Sequence, residues 1–250
     1  MTRKVAIVTG SASGIGAATA LELSRRGWSV VVNCSKSLDA AHQVARQCAD
    51  AIVVQADVGQ DAECRKLAQA ALDKWGRIDA LVNNAGTTKF VPHPKLDELS
   101  DEDFLRIYRV NVVAAFQMTR ACAPALKESR GAVVNVSSVA AFLGTGSSIA
   151  YAASKGALNT LTLSLARVLA PEVRVNAVQP GFVDTPWMSG GYGEERYKEL
   201  AARYAANAPL QSTCKPEDIA ETICWLVEGG RMVTGETVFV DAGFHIATPR

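Results

Sequence analysis

The chain has 250 residues, of which 48% are hydrophobic, and its 26 Lys and Arg residues nearly balance its 25 Asp and Glu residues. This length and apolar content suffice for one large hydrophobic core, so we expect a single domain over residues 1–250. The net charge of +1 creates no strong field toward nucleic acid or an anionic membrane. We therefore expect neither a nucleic-acid partner nor a membrane partner.

The cysteines and histidines form no metal-binding or redox motif. The six cysteines include no Cys-x-x-Cys pair, and the three histidines lie far apart, at positions 42, 93 and 245. Buried, reduced thiols in a reducing cytoplasm are the simpler interpretation. The apolar run before Thr9 is too short for a signal peptide, and no run is long enough to span a membrane. We expect a cytoplasmic protein without a metal site.

Short apolar runs rich in β-branched residues alternate with longer helical patterns along the chain. The short runs predict seven strands, at Val5–Val8, Val30–Val32, Ala51–Gln55, Ala80–Val82, Ala132–Val136, Arg174–Val178 and Thr237–Val240. The longer patterns predict helices at Gly14–Arg26, Asp39–Cys48, Asp61–Trp75, Asp101–Lys127, Ala150–Leu169 and Pro216–Glu228. Continuous apolar strands separated by helices indicate an α/β, Rossmann-type doubly wound parallel sheet with helices on both faces. Its ligand site is expected at the carboxyl ends of the strands.

One segment, residues 187–212, interrupts this alternation between the sixth and seventh strands. It contains Gly190-Gly191-Tyr192-Gly193, followed by a polar helical pattern. Long connections in compact domains often serve as lids over a ligand. We expect a substrate-binding lid, with a passive surface excursion as the alternative.

A glycine-rich turn, Thr9-Gly10-Ser11-Ala12-Ser13-Gly14-Ile15-Gly16, leads directly from the first strand into the first helix. Glycines let the backbone turn tightly and approach a pyrophosphate at the positive end of a helix. The spacing is G-x-x-x-G-x-G, which differs from the commoner G-x-G-x-x-G fingerprint. We predict a dinucleotide cofactor bound by Gly10, Ser11, Ser13, Gly14, Ile15 and Gly16.

The tip of the second strand bears on the choice between NAD and NADP. An NAD-preferring fold usually places a carboxylate there for the ribose 2′-hydroxyl. This chain has Asn33-Cys34-Ser35-Lys36 instead, and Ser35 and Lys36 can donate hydrogen bonds to a 2′-phosphate. We therefore predict that Asn33, Ser35 and Lys36 contact NADP(H). NAD(H) is the alternative, with Lys36 in solvent and Asp39 reaching the ribose.

Tyr151 and Lys155 are four residues apart, so on a helix they share one face. Of the five tyrosines in the chain, only Tyr151 has a lysine at this spacing. A nearby ammonium favours the ionised phenol, so we expect the pKa of Tyr151 to lie below its ordinary value of about 10. Such a phenol is a usable proton donor or acceptor near neutral pH.

Further motifs follow in chain order. They are Asp57-Val58 after the third strand, Asn83-Asn84-Ala85-Gly86 after the fourth, Asn111 in the long helix, Ser137-Ser138 after the fifth, and Pro180-Gly181 with Thr185 after the sixth. Together with the glycine turn and the Tyr151 and Lys155 pair, they resemble the classical short-chain dehydrogenase/reductase family over essentially the whole chain. The chain is similar to 3-oxoacyl-[acyl-carrier-protein] reductase-like members of that family. The resemblance implies an oxidoreductase that interconverts a carbonyl and a secondary alcohol by hydride transfer with NAD(P).

The resemblance also implies the roles of four residues. Tyr151 would be the general acid for reduction and the base for oxidation, and Ser138 would hold the substrate oxygen by a hydrogen bond. Lys155 would bind the nicotinamide ribose and lower the pKa of the phenol. Asn111 would hold a water that links Lys155 to solvent. Ser137, beside Ser138, is interpreted as structural.

The same resemblance implies further cofactor contacts. They are Asp57 and Val58 at the adenine, Asn84 and Gly86 at the adjoining ribose region, Val183 and Thr185 at the carboxamide, and Ala85, Pro180, Gly181, Tyr151 and Lys155. Structural alternatives are open for three of them. Asp57 would cap the following helix, Asn84 would tie neighbouring strands together, and Thr185 would cap a short turn.

The substrate is expected to be a small carbonyl or alcohol of unknown identity. The predicted substrate wall comprises Ser138, Ala140, Phe142, Ser148, Tyr151, Trp187 and Tyr192. Carrier-dependent relatives typically have an arginine just after the tyrosine helix, where this chain has Ala170-Pro171-Glu172. The missing arginine argues against carrier-bound substrates, although Lys127 and Arg130 retain basic charge nearby.

The resemblance implies a homotetramer formed through the two long helices, 101–127 and 150–169, and the carboxyl-terminal strand. At Asp241-Ala242-Gly243, where relatives often have Asp-Gly-Gly, we expect an ordinary negative φ for Ala242. The alternative functions are a nucleotide-sensing regulator without turnover and an epimerase or dehydratase. A nucleotide-sensing regulator would not need a positioned acid such as Tyr151, and an epimerase or dehydratase would usually need a longer chain.

Overall fold

The computed structural model describes residues 3–247. Its strands are β1 (Val5–Val8), β2 (Ser29–Cys34), β3 (Ala51–Gln55), β4 (Ala80–Asn83), β5 (Ala132–Val136), β6 (Arg174–Pro180) and β7 (Thr237–Val240). All six neighbouring pairs are parallel, in the order β3-β2-β1-β4-β5-β6-β7. The predicted parallel sheet of seven strands is confirmed, and β2, β4 and β6 are longer than predicted.

The helices occupy the connections between the strands. They are α1 (Gly14–Arg25), α2 (Leu38–Gln47), α3 (Asp61–Trp75), α4 (Asp101–Tyr108), α5 (Ala114–Ser129), α6 (Ala140–Leu143), α7 (Ile149–Leu169), α8 (Pro186–Tyr192), α9 (Glu194–Asn207) and α10 (Pro216–Glu228). Five predicted helices are confirmed to within one residue at each end. The sixth, predicted as one helix over 101–127, contains a π-helical turn.

The sheet has a hydrophobic core on each face, because alternate residues of a strand point to opposite sides. On one face Val8 of β1 packs in a cluster with Leu23 of α1 and with residues of α2 and α10. On the other face Ile7 packs in a cluster with Leu67 of α3 and with residues of α5 and α7. Helices therefore cover both faces, which confirms the doubly wound architecture and its single sheet.

The direction of winding changes between β1 and β4. From β1 the chain builds outward through β2 to β3, then crosses back to place β4 on the other side of β1 and continues to β7. The loops that leave β1 and β4 consequently diverge at the carboxyl edge of the sheet. Doubly wound proteins bind their ligands in the crevice that forms there.

The segment between α4 and α5, Arg109–Val113, is a π-helix. Its buried Asn111 makes three hydrogen bonds to other parts of the chain: Oδ1 accepts from Thr87 N at 2.8 Å, and Nδ2 donates to Thr87 O at 3.0 Å and to Ser154 Oγ at 2.9 Å. These bonds hold the widened turn open. The predicted helix therefore runs without a break from Asp101 to Ser129, but it contains a π-helical turn that the sequence did not predict.

The segment 187–212 contains most of α8 and all of α9. Tyr204 of α9 is anchored beneath it: its hydroxyl donates to Asp241 O at 2.7 Å, and its ring packs in a cluster with Phe182 and Ala208. Tyr197, one helical turn from the start of α9, donates to the Asp184 carboxylate. Within residues 3–247, no helix is long and apolar enough to span a membrane.

Ala242 has a φ of 55°, so the expectation of an ordinary φ at this position is wrong. The Asp241 carboxylate accepts hydrogen bonds from Gly243 N at 3.0 Å and His245 N at 2.7 Å. These bonds fold the chain back directly after β7. Ala242 must therefore adopt the left-handed conformation that glycine adopts without cost.

Candidate active site

A cavity of about 640 Å³ lies at the carboxyl edge of the sheet, beside the point where the winding reverses. Its volume is typical of small-molecule and cofactor sites. Most of the predicted cofactor residues line it. They are Gly10, Ser13, Gly14, Ile15, Asn33, Ser35, Lys36, Asp57, Val58, Asn84, Ala85, Gly86, Tyr151, Lys155, Pro180, Gly181, Val183 and Thr185.

Two predicted cofactor residues, Ser11 and Gly16, are not part of the cavity lining. The fully buried Ser11 donates through Oγ to Val8 O at 2.7 Å and accepts from Asn33 N at 2.9 Å. A Cβ on Gly16 would lie 2.5 Å from Asn84 Nδ2. Both residues therefore support the glycine turn from its protein side, and their direct contact with the cofactor stays a prediction.

The glycine turn has the geometry of an anion cradle. Gly10 and Gly14 have φ values of 62° and 55°, which only glycine adopts readily. Ser13, the N-cap of α1, makes no side-chain capping bond, so the first N–H groups of this helix have no side-chain cap. Since the positive end of α1 faces the cavity, the turn fits the pyrophosphate of a dinucleotide.

Two asparagines fix this turn to the sheet. Asn33 Oδ1 accepts from Gly10 N at 3.0 Å, while its Nδ2 donates to Val54 O and Ala56 O, both at 3.1 Å. Asn84 Nδ2 donates to Thr9 O at 2.9 Å and to Gly10 O at 3.1 Å. The strand-tying interpretation of Asn84 therefore describes its bonds, although it also lines the cavity.

The tip of β2 presents the exposed Ser35 and Lys36 to the cavity. Among residues 3–247, no carboxylate forms an ion pair with Lys36. Asp39, the candidate acid for an NAD ribose, lies in the first turn of α2 and does not line the cavity. At the tip of β2, the cavity is therefore lined by the Lys36 ammonium and not by the Asp39 carboxylate.

Two of the open structural alternatives concern Asp57 and Thr185. Asp57 Oδ1 accepts from Gly59 N at 2.9 Å, whereas the N-cap of α3 is Gln60, so Asp57 closes a turn and does not cap the helix. Thr185 stands at the N-cap position of α8 but makes no side-chain capping bond. Both side chains line the cavity.

Helix α7 brings Tyr151 and Lys155 to the cavity, where Ser138 joins them from the loop after β5. The helix begins where its N-cap Ser148 accepts a hydrogen bond from Tyr151 N at 3.2 Å. Asn111 lies behind the lining, and Ser154 Oγ, which it binds, donates to Tyr151 O at 2.7 Å. The four residues implied by the family resemblance are thus connected at one end of the cavity.

The pKa of Tyr151 is raised to about 12, chiefly because burial disfavours the phenolate, while a hydrogen bond with Ser138 opposes the rise. The prediction of a lowered pKa is therefore wrong for this structure. Lys155 Nζ lies 5.6 Å from the centre of the phenol ring and donates to Val136 O at 2.7 Å. Burial also lowers the pKa of Lys155, to about 8.

Of the predicted substrate wall, Ser138, Tyr151 and Trp187 line the cavity. Ala140, Phe142, Ser148 and Tyr192 are outside the lining, and their contact with a substrate stays a prediction. Ser148 is fully buried as the cap of α7, and Ala140 is buried at the start of α6. Phe142 is 65% exposed and packs on Phe239, with ring centres 5.4 Å apart. Tyr192 packs edge-on against the ring of Phe90.

Seven further residues line the cavity without having been predicted from the sequence: Ala56, Thr87, Arg106, Val110, Val136, Pro186 and Met188. Arg106 and Val110 are four positions apart just before Asn111, so helical spacing was the available signal for them. Ser137 also lines the cavity, and its Oγ donates to Lys155 O at 3.2 Å, which agrees with its structural interpretation. Among residues 3–247, no group of His, Cys, Asp and Glu side chains could hold a metal ion.

Comparison with known proteins agrees with this geometry. A family model described as enoyl-(acyl carrier protein) reductase matches residues 10–245. A crystal structure of a short-chain dehydrogenase/reductase from Burkholderia xenovorans is 44% identical, with a TM-score of 0.91 over 99% of this chain and 100% of that one. The chain belongs to the short-chain dehydrogenase/reductase family. Its Rossmann fold and its place among the oxidoreductases that act on CH–OH groups with NAD(P) follow from that membership.

Two other members of the short-chain dehydrogenase/reductase family are named as reductases of oxoacyl groups. A protein named as ketoacyl reductase 2 of the granaticin polyketide synthase, from Streptomyces violaceoruber, is 41% identical over 97% of this chain and 96% of its own length. A 3-oxoacyl-[acyl-carrier-protein] reductase of Synechocystis is 36% identical over 97% of each chain. The similarity covers 96% and 97% of the length of these two relatives.

Proposed function

We propose that this protein reduces a small carbonyl substrate to a secondary alcohol, and catalyses the reverse oxidation, with NADP(H) as its preferred cofactor and Tyr151 as the general acid and base. The observation that carries the proposal is the shared cavity: Ser138, Tyr151 and Lys155 line the same space as the glycine turn. A nicotinamide cofactor supplies or accepts the hydride when it is bound.

Tyr151 is suited to donate the proton in the reductive direction. With its pKa raised to about 12, the phenol is protonated at neutral pH and holds a proton for the developing alkoxide. Ser138 already interacts with the phenol and would direct the substrate oxygen toward it. Once the proton has left, the buried ammonium of Lys155 would stabilise the phenolate.

The space beside Gly86 supports a proton path from Lys155. A Cβ at Gly86 would lie 3.5 Å from Asn111 Oδ1 and 3.8 Å from Lys155 Nζ. A carbonyl oxygen accepts two hydrogen bonds, and Asn111 Oδ1 accepts one from Thr87 N. We infer that a water binds between Oδ1 and Nζ and carries the proton onward.

The preference for NADP(H) rests on the tip of β2. Lys36 lines the cavity without a carboxylate partner among the described residues, and Ser35 adds a hydroxyl donor. A 2′-phosphate would complete the hydrogen bonds of both, whereas an NAD ribose would leave the ammonium without an anion. No acidic side chain of α2 reaches the cavity to favour NAD instead.

We also infer that residues 187–212 form the substrate lid. Trp187 and Met188 of α8 line the cavity, while Tyr204 of α9 is bonded to the body of the domain. One end of the segment thus contacts the site and the other end is fixed. This arrangement is what a lid that moves over a ligand requires.

Assembly as a cytoplasmic homotetramer is part of the proposal. Exposed apolar side chains occur on both of the long helical segments implied by the family resemblance. They are Leu105, Val113 and Phe116 on the segment 101–129, and Leu163 and Val168 on α7. Burial of such side chains between subunits would stabilise an oligomer.

Titration with NADPH and NADH, followed by oxidation of the preferred cofactor over a panel of ketones, quinones and 3-oxoacyl thioesters, tests the function. Tight NADPH binding with turnover of a panel member is the expected result. Binding of neither cofactor would refute the proposal. Tyr151→Phe is the matched variant, because it removes the proton donor and preserves the ring.

A further inference from the structure

Three aromatic side chains form a chain of ring contacts that begins at Tyr151, and the first of them, Trp187, lines the cavity. The ring centre of Trp187 is 5.8 Å from that of Tyr151 and 5.6 Å from that of Phe90. Phe90 in turn packs edge-on against Tyr192 with centres 4.7 Å apart. We call Phe90, Trp187 and Tyr192 the aromatic wall.

The wall joins two elements that are distant in the chain. Phe90 lies in the loop after β4, whereas Trp187 and Tyr192 belong to α8. Gly191 allows them to meet, because a Cβ at that position would overlap the ring of Phe90. A Cβ on the neighbouring Gly190 would meet no atom within 4 Å.

Trp187, the member of the wall that lines the cavity, keeps exposed apolar surface within residues 3–247. Trp187 lines the cavity and is 44% exposed, although its ring is already held by two neighbours. Pro186 and Met188 beside it are uncharged, and the charged lining residues Lys36, Asp57, Arg106 and Lys155 all belong to elements other than α8. The surface next to the proton donor is therefore suited to a flat, uncharged, apolar group.

We propose that the aromatic wall binds an aromatic ring of the substrate, so that this protein prefers ketones fused to or bearing an aromatic ring over saturated ketones of the same shape. This inference rests on the proposed reductase function. Ring pairs in offset or edge-on contact contribute a preference of about 2- to 12-fold beyond simple burial.

The test compares 2-tetralone with 2-decalone, two bicyclic ketones of similar shape whose carbonyl is not conjugated with the ring. The wild-type protein is expected to show a kcat/KM several-fold higher for 2-tetralone. Trp187→Leu keeps an apolar side chain but removes the ring, and should bring the ratio close to 1. The loss should be mainly in KM for 2-tetralone, because stacking acts on the bound ground state as well as the transition state.

A glycine pair tests the wall without changing any aromatic residue. Gly191→Ala should displace the Phe90 ring and reduce the preference for 2-tetralone, while Gly190→Ala should leave it unchanged within about twofold. Circular dichroism and thermal melting of each variant show whether the fold is retained. Equal ratios in the two variants would overturn the assignment of Phe90 to the wall.

The outcomes separate the inference from the function on which it rests. Reduction of both ketones by the wild type with equal kcat/KM would overturn the inference and leave the reductase function intact. Reduction of other panel ketones but of neither bicyclic ketone would do the same. Failure to bind NADPH or NADH, with no turnover of any ketone, would instead refute the proposed function.

Discussion

Replacement of Lys36 by alanine tests the cofactor preference most directly. The ammonium lines the cavity at the tip of β2 and has no ion-pair partner among residues 3–247. Its removal therefore breaks no ion pair in the protein itself. Any loss of affinity reports the interaction with the cofactor.

The size of the effect follows from the bond that is lost. A hydrogen bond to a charged group contributes about 1.5–3 kcal/mol, which corresponds to a rise of about 10- to 150-fold in the Kd for NADPH. Because Lys36 is exposed, solvent and salt screen the interaction, and the lower part of this range is expected. The Kd for NADH, which has no 2′-phosphate, should change by less than about twofold.

Titration calorimetry with both cofactors at two ionic strengths measures these constants. Lys74→Ala is the matched control: it removes the same charge from an exposed position on α3 that does not line the cavity. A loss of affinity that is equal for NADPH and NADH, or one reproduced by Lys74→Ala, would refute the phosphate assignment. A loss for NADPH alone that shrinks at high salt would support it.

Three further outcomes are expected. Tyr151→Phe should lower kcat by about 10²- to 10⁴-fold with little change in cofactor Kd, and near-normal steady-state rates would remove Tyr151 from its role. Because the pKa of Lys155 is lowered to about 8, its ammonium loses its proton as the pH rises through that value. The reductive kcat/KM should therefore fall above about pH 8. A kcat/KM that stays constant from about pH 7 to 9.5 would contradict this. Ala242→Gly should relieve the left-handed strain at φ 55° and raise the Tm by about 1–2 °C, as checked by calorimetry; a clear fall in Tm would count against strain there.

The strands and the cofactor turn were predictable because their signals are local. Val5–Val8 is a run of apolar and β-branched residues between polar neighbours, and no helical pattern competes with it. Helix α10 begins with Pro216 and ends before Gly229, the two residue types that mark helix ends most clearly. The glycine turn follows from conformational needs that only its own residues determine.

The π-helix at Arg109–Val113 could not be predicted in the same way. It contains neither proline nor glycine, and its residues are compatible with an ordinary helix. The Asn111 side chain in this turn pairs with the backbone of Thr87, 24 positions away. Contacts of this kind depend on the tertiary fold, which the spacing of apolar residues does not report.

The differences from prediction at the substrate end have a similar origin. Ser148 was interpreted as a polar point in the pocket, although serine is also a preferred N-cap, and that is the role it has. Phe142 is close in sequence to Ser138 but turns outward to pack on Phe239. The pKa of Tyr151 was misjudged because the spacing to Lys155 predicts proximity, whereas burial of the phenol outweighs the cation.

The hydrogen bonds of the Asn33 side chain hold the shape of the glycine turn without the side chains of Ser35 and Lys36 at the β2 tip. Its amide bonds to Gly10, Val54 and Ala56 fix the glycine turn to the sheet, and its further bond, to Cys34 O at 3.5 Å, reaches the backbone of the β2 tip and not the side chain of Ser35 or Lys36. Ser35 and Lys36 can consequently be exchanged while the turn keeps its shape. If Ser35 and Lys36 select the cofactor as proposed, the preference can be changed at two side chains without redesign of the glycine turn.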